Sequence, residues 1–235
     1  MYGYGYSYGD ISAYITDILL FLGMMIIPLI AQLGVSLTFS KYNKVHSSRG
    51  LTAEQVARRI LDLNGLHDVR IERVGGKLSD NYDPRDNVVH LSDSTYGKTS
   101  VAAIGIAAHE CGHACQHAEA YRPILLRNKL VPVTSICSHL WFYVFLAGCF
   151  LTFLPFLRYV GILMFCAVIL FQLLTLPTEL NASRRAMKTL ENDSILEHSE
   201  LSPARKVLTA AAMTYIASLA SSFMQLARLL MRSRR

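Results

Sequence analysis

The chain has 235 residues, of which 52% are hydrophobic and 17% charged, and a net charge of +6. Such an apolar composition argues against one or two ordinary soluble domains, and no motif accompanies the basic residues that would make the charge a nucleic-acid signal. Five cysteines (Cys111, Cys115, Cys137, Cys149 and Cys166), odd in number and mostly within apolar runs, exclude a disulfide framework.

Residues 1–17 are Tyr/Gly-rich and lack the basic start of a secretory signal, so the first apolar run is expected to remain as an anchor. That run, ILLFLGMMIIPLIAQLGVSLTF at 18–39, carries no charge and is long enough to be transmembrane helix 1. Residues 40–132 form a polar segment of α+β character. Thr52 and Gln55 match a capping box, with Leu51 and Val56 as its hydrophobic staple, and predict a helix over 53–64 that stops at Gly65. DVRIERV (68–74) alternates as a strand, Gly75-Gly76 offers a turn, and NYDPRDN reads as a loop. VVHLS (88–92) is a short strand, a possible cleft edge for an extended substrate. Thr99 or Ser100 can then cap a helix over about 100–117, which carries AIGIAAHECGHACQH.

Two further spans follow at 133–157 and 159–176, then a second polar segment at 177–206. The run at 207–227 is rich in Ala, Ser and Thr, as suits close packing in a membrane, and is read as transmembrane helix 4 rather than an amphipathic surface helix. A basic tail, 228–235, ends the chain. Only two spans separate the polar segments, so both face one side of the membrane. Lys41, Lys44, Arg49, Arg127, Lys129, Arg184, Arg185 and Lys188 flank the spans on that side, which the positive-inside rule makes cytoplasmic; the arginines of the tail point the other way.

The chemistry concentrates in His109-Glu110-Cys111-Gly112-His113. Helical residues four apart lie about 40° apart around the axis, so both imidazoles can reach one ion. Neutral imidazole is a good zinc ligand, and a catalytic zinc keeps an open position at which water is acidified. Glu110, offset by one residue, is placed to take a proton from that water. The metzincin extension is excluded, because Gln116 and Glu119 stand where it requires Gly and His. His117 lies one turn further along; it could hold a second ion, but hydrogen-bonded support of a ligand or contact with substrate suits it better. For the third ligand the best candidate is Glu179, in LPTELNASRRA (176–186), where Pro177 can open a helix. Glu191, Glu197 and Glu200 read as solvated face. Cys111 and Cys115 point away from the histidine face and read as packing residues.

With these residues in place, the sequence resembles the YugP-like neutral zinc metallopeptidases, a group of bacterial membrane proteins. The likeness is carried by TAEQVARRILDLNGL (52–66), LSDNYDPRDNVVHLS (78–92), SVAAIGIAAHECGHACQH (100–117) and LPTELNASRRA, and covers nearly the whole chain. It implies one catalytic Zn2+ held by His109, His113 and Glu179, with Glu110 as general base, in a bacterial cell membrane. More distantly the chain is similar to the HtpX and prenyl-protein protease group, whose Glu-x-x-Ala-Asp block supplies the third ligand. Here Ser183 replaces that Asp, so either Asn181 or Ser183 is expected to orient a ligating imidazole by hydrogen bonding to it.

The expected fold is therefore an α-helical membrane protein of three to four transmembrane helices with a small α+β, zincin-like domain carrying the HExxH helix. The expected activity is that of a zinc metalloendopeptidase acting on membrane-associated or membrane-proximal proteins. Its partners are a peptide or protein substrate and the lipid bilayer. The alternative is a non-catalytic zinc-binding scaffold or chaperone-like protein, against which an intact Glu110 argues. His90, the polar loop Asp80, Tyr82, Asp83 and Arg85, and the intramembrane His139 and Gln172 receive no catalytic role; helix–helix hydrogen bonds suffice for the last two.

Overall fold

The structure, a computed structural model, describes residues 8–233; the first seven residues of the Tyr/Gly start and the last two arginines lie outside it. In chain order the elements are α1 (Tyr8–Tyr42), α2 (Ala53–Leu63), β1 (Arg70–Val74), β2 (Asn81–Asp83), β3 (Val88–Ser92), α3 (Val101–Ala118), α4 (Arg122–Phe150), α5 (Leu157–Asn192) and α6 (His198–Ser233). The protein is mostly helical, with one small sheet. Four helical stretches are long and apolar enough to cross a membrane: Ile11–Tyr42, Arg122–Phe150, Leu157–Asn192 and His198–Arg232. The chain divides into two units.

One unit comprises residues 1–31, 130–173 and 216–235; its described part is helical apart from the turn at 151–156 between α4 and α5. Its core gathers Phe145, Ile162, Phe165, Ile169 and Leu229, and Trp141 packs against Phe165 with ring centroids 4.5 Å apart and the planes tilted by 43°. Asp17 accepts hydrogen bonds from Arg228 (2.8 Å) and Arg232 (3.0 Å), tying the first helix to the last. The Arg228 guanidinium also lies 4.8 Å from the Phe21 ring centroid, a contact suited to a cation in an apolar setting. His139 bonds within its own helix, Nδ1 to the Ser135 carbonyl at 2.6 Å. The sequence had suggested a partner on another helix.

The other unit comprises residues 32–129 and 174–215. Its core is built on α3, whose small residues (Ala103, Ala107, Ala108, Ala114) let neighbours approach closely. Against it pack Val56, Ala57, Ile60 and Leu61 of α2, Val89 and Leu91 of β3, and Ala186, Met187 and Leu190 of α5. The start of α2 is held by the Thr52 N–H donating to Gln55 Oε1 (3.0 Å), and its end by Gly65 at φ 71°, after which the Leu66 N–H reaches the Leu61 carbonyl. Ser100 caps α3, its hydroxyl accepting from the Ala103 N–H.

Three features of this unit differ from expectation. The sheet has the order β1-β3-β2, with β1 parallel and β2 antiparallel to β3. VVHLS is thus the central strand with both edges taken. The free edge beside the candidate site is β2, in a stretch that its Pro, Asp and Asn content marked as loop. Second, Pro177 lies inside an unbroken α5 instead of opening a helix. Pro177 has no N–H to offer the Leu173 carbonyl one turn back, and beside that gap the Thr178 hydroxyl donates to the Leu174 carbonyl (3.1 Å). Third, Glu200 is buried rather than solvated. It accepts from the Ser48 N–H (2.6 Å) and the Glu197 N–H (2.9 Å), capping the start of α6.

Candidate metal centre

Helix α3 carries His109, Glu110 and His113, and α5 crosses it with Glu179, Asn181 and Ser183. Both imidazole Nε2 atoms aim at one oxygen of Glu179, at 3.2 Å from His109 and 3.4 Å from His113. The ligand-capable atoms of these three residues lie within 4.8 Å of one another, the one such group among the described residues. Glu179 and His113 are buried and His109 nearly so.

The close crossing depends on Gly112. A β-carbon there would stand 2.8 Å from the Ala182 carbonyl oxygen, nearer than any side chain tolerates without a shift. Glycine between the two histidines therefore sets how near α5, and with it Glu179, can come.

Each histidine is oriented through its other nitrogen. Gln116, fully buried, donates from Nε2 to the Thr178 carbonyl (2.8 Å) and to Asn181 Oδ1 (2.9 Å). A carbonyl can only accept, so the amide orientation is fixed and Gln116 Oε1 must face His113 Nδ1, 3.0 Å away. Nδ1 of His113 then carries the proton and Nε2 keeps its lone pair for an ion. Ser183 Oγ stands 3.1 Å from His109 Nδ1 and can accept from it in the same way. Asn181 continues outward to Arg185 (2.8 Å), which pairs with Glu119 at 2.6 and 2.8 Å. So Ser183 supports His109, whereas Asn181 reaches His113 only through Gln116.

Burial pushes the Glu110 carboxyl up from its ordinary range, against the lowering influence of His109 and His113. Burial lowers His113, but its hydrogen bond to Glu179 and the charges of Glu110 and Glu179 outweigh that and raise it. A dication would replace the proton in this anionic nest, and the donor set of two imidazoles and a carboxylate suits zinc. A residue that sequence reasoning missed completes the site: Tyr215 of α6, which hydrogen-bonds Glu179 and lines the same cavity as His109 and Glu110. Its only signal was a lone phenol in a run of small residues.

Other singled-out residues fall elsewhere. His117 meets Tyr82, Nδ1 lying 3.4 Å from its hydroxyl, and does not join the cluster. Asp80 lines the cavity with both oxygens engaged by Ser92, and Asp83 is clamped by Arg85, whose charge and hydrogen bonds hold its carboxyl down to about 2. Cys111 and Cys115 are buried in packing, the Cys115 thiol pushed by burial up to about 11.

Comparison with known proteins places this geometry in context. Residues 17–234 match the family described as "putative neutral zinc metallopeptidase". The chain belongs to that family. It is also 44% identical, over 201 residues, to the "putative membrane protease YugP" of Bacillus subtilis (strain 168), covering 86% of this chain and 89% of that protein. No solved structure matches it. As a member of the zinc metallopeptidase family with four membrane-length apolar helices, the chain is a membrane protein.

Proposed function

We propose that this family member is a membrane zinc endopeptidase in which His109, His113 and Glu179 hold the ion and Glu110 is the general base. The observation that carries the reading is the convergence of three ligand atoms from two helices, with both Nδ1 atoms occupied and Glu110 buried in the adjoining cavity. A structural zinc site needs no carboxylate beside it, which argues against a scaffold.

Zinc at this position would polarise the scissile carbonyl and acidify the attacking water. Glu110, its proton affinity raised by burial, takes the proton from that water and delivers it to the departing amine. Tyr215 has an O–H donor at the Glu179 carboxylate and can redirect it to the oxyanion as charge develops there. Ser183 and Gln116 hold the imidazoles in the ligating tautomer. The substrates are membrane-associated or membrane-proximal polypeptides, and the site faces the cytoplasm.

The test is to purify the protein in detergent and measure bound zinc and peptide cleavage for wild type, Glu110→Gln and Glu179→Ala. Glu110→Gln should keep zinc and lose cleavage; full activity in that variant would refute the mechanism. Glu179→Ala should lose zinc; binding as tight as wild type would remove it from the ligand set.

A further inference from the structure

Two cavities meet at the candidate centre, and they differ in chemistry. They share Asp80, His109, Glu110, Glu179 and Tyr215. The larger, about 250 Å3, extends from there between Val35 and Phe39 of α1, Ile106 of α3, and Val207, Leu208 and Ala211 of α6. Helices α1 and α6 are both of membrane-crossing length and composition. The smaller, about 170 Å3, extends past His113 along Asn81, Tyr82 and Pro84 to Arg127 and Asn128. It includes the free edge strand β2.

The boundary between the chambers is built rather than incidental. Leu78, which lines the larger chamber, is held in the left-handed region at φ 57°, and its N–H donates to Ser94 Oγ at 3.1 Å. A non-glycine residue seldom keeps that conformation unless its surroundings impose it. Two residues on, Asp80 stands at the junction with its carboxylate fixed by Ser92 at 2.8 and 2.9 Å. Within three residues the chain passes from an apolar wall to a polar one.

We infer that the two chambers take opposite halves of the substrate, so that the cut falls where an extended segment changes from apolar to polar. The apolar side chain seats against α1 and α6, and the polar one beside Asn81 and Asn128. Such a junction is the stretch where a membrane-embedded segment of a polypeptide emerges into water. The inference rests on the peptidase reading and adds the character of its substrate. Reaction at the junction is ordinary hydrolysis: the carbon–nitrogen bond breaks, water oxygen goes to the carbonyl carbon and a proton to the amine.

The test uses the zinc-loaded full chain in detergent micelles and four quenched peptides of equal length. Their two residues flanking the centre are Leu-Leu, Leu-Asn, Asn-Leu or Asn-Asn. One mixed peptide should be cut at its centre with kcat/KM about tenfold or more above both Leu-Leu and Asn-Asn, the discrimination expected of an apolar pocket paired with a polar one. Ala211→Phe, which fills the apolar chamber, should bring the ratio of mixed to Asn-Asn cleavage close to one with zinc still bound. Val35→Asn, which makes that wall polar without adding bulk, should lower the same ratio and serves if the larger side chain prevents folding. Equal cleavage of all four peptides, or a ratio unchanged in both variants, overturns the inference and leaves the peptidase reading standing. Bound zinc with no cleavage of any peptide overturns both.

Discussion

The carbonyl oxygen of Ala182 lies 2.8 Å from the point where a β-carbon on Gly112 would stand. This backbone contact sits between His109 and His113 on one helix and between Glu179 and Ser183 on the other, so it governs the spacing of all three candidate ligand atoms. Gly112→Ala should push α5 off α3. The expected result is zinc affinity reduced at least about tenfold, with a stability loss of about 1–3 kcal/mol from overpacking. Zinc titration and thermal unfolding of the variant check it; unchanged zinc affinity would show that the crossing has slack.

Gln116 is the link that fixes His113. Gln116→Leu preserves volume but takes the acceptor from the His113 Nδ1–H and a donor from the Thr178 carbonyl, while Asn181 Oδ1 keeps its bond from Arg185. Zinc affinity should fall about 10–100-fold, the range seen when an outer partner of a ligand is lost. Gln116→Glu should do less damage to affinity, because a carboxylate still accepts from Nδ1. Competition with a chromophoric chelator separates the two variants.

Ser183 faces His109 with a hydroxyl where the more distant protease group has a carboxylate. Ser183→Ala should weaken zinc about tenfold, whereas Ser183→Asp should bind it at least as tightly as wild type. If both variants bind zinc like wild type, the 3.1 Å contact has no role in orienting the imidazole.

Tyr215→Phe separates catalysis from ligand support. As an oxyanion donor the phenol should be worth about 100–1,000-fold in kcat, with KM and bound zinc little changed. If its sole task is to hold Glu179, zinc affinity falls instead and kcat at saturating zinc survives. Steady-state kinetics with zinc content measured on the same sample decides between these outcomes.

How far these placements were legible depends on the range of the interaction. His109, Glu110 and His113 share a helix face by local periodicity, and the stops and caps at Gly65 and Ser100 are local as well. Glu179 was pointed to by its place after an apolar run, although the proline before it suggested a break that α5 does not make. Gln116 and Tyr215 were missed because their roles need partners far along the chain. Gln116 acts through the Thr178 carbonyl 62 residues away, and no pattern in the sequence reveals which way that carbonyl points. Strand β2 was hidden for the same reason: Asn81–Asp83 is strand only because β3 pairs with it. Glu200 looked solvated until the backbone N–H of Ser48 came to meet it.

Membrane orientation gives the last prediction. The arginines of the tail were the one sequence signal against a cytoplasmic site. Arg228 and Arg232 both pair with Asp17, at 2.8 and 3.0 Å, so part of that charge is neutralised by the first helix. The basic residues flanking the polar segments are not offset to the same degree. Lys41, Lys44, Lys129, Arg184 and Lys188 have no carboxylate partner among the described ion pairs, though Arg185 is matched by Glu119 and Arg49 by Glu197. The positive-inside rule counts Lys and Arg and gives acidic residues little weight, yet a partly shielded ion pair leaves less free charge to resist translocation. The balance therefore favours the cytoplasm for the α+β unit. A cysteine placed at the exposed Lys77, in a background with Cys137 and Cys149 changed to Ser, should react with a membrane-impermeant maleimide in inside-out vesicles and stay unlabelled in intact cells. Labelling in intact cells would reverse the orientation. Repeating the assay with Asp17→Asn, which frees both arginines, should raise the fraction of inverted molecules if the ion pair contributes to the choice of side.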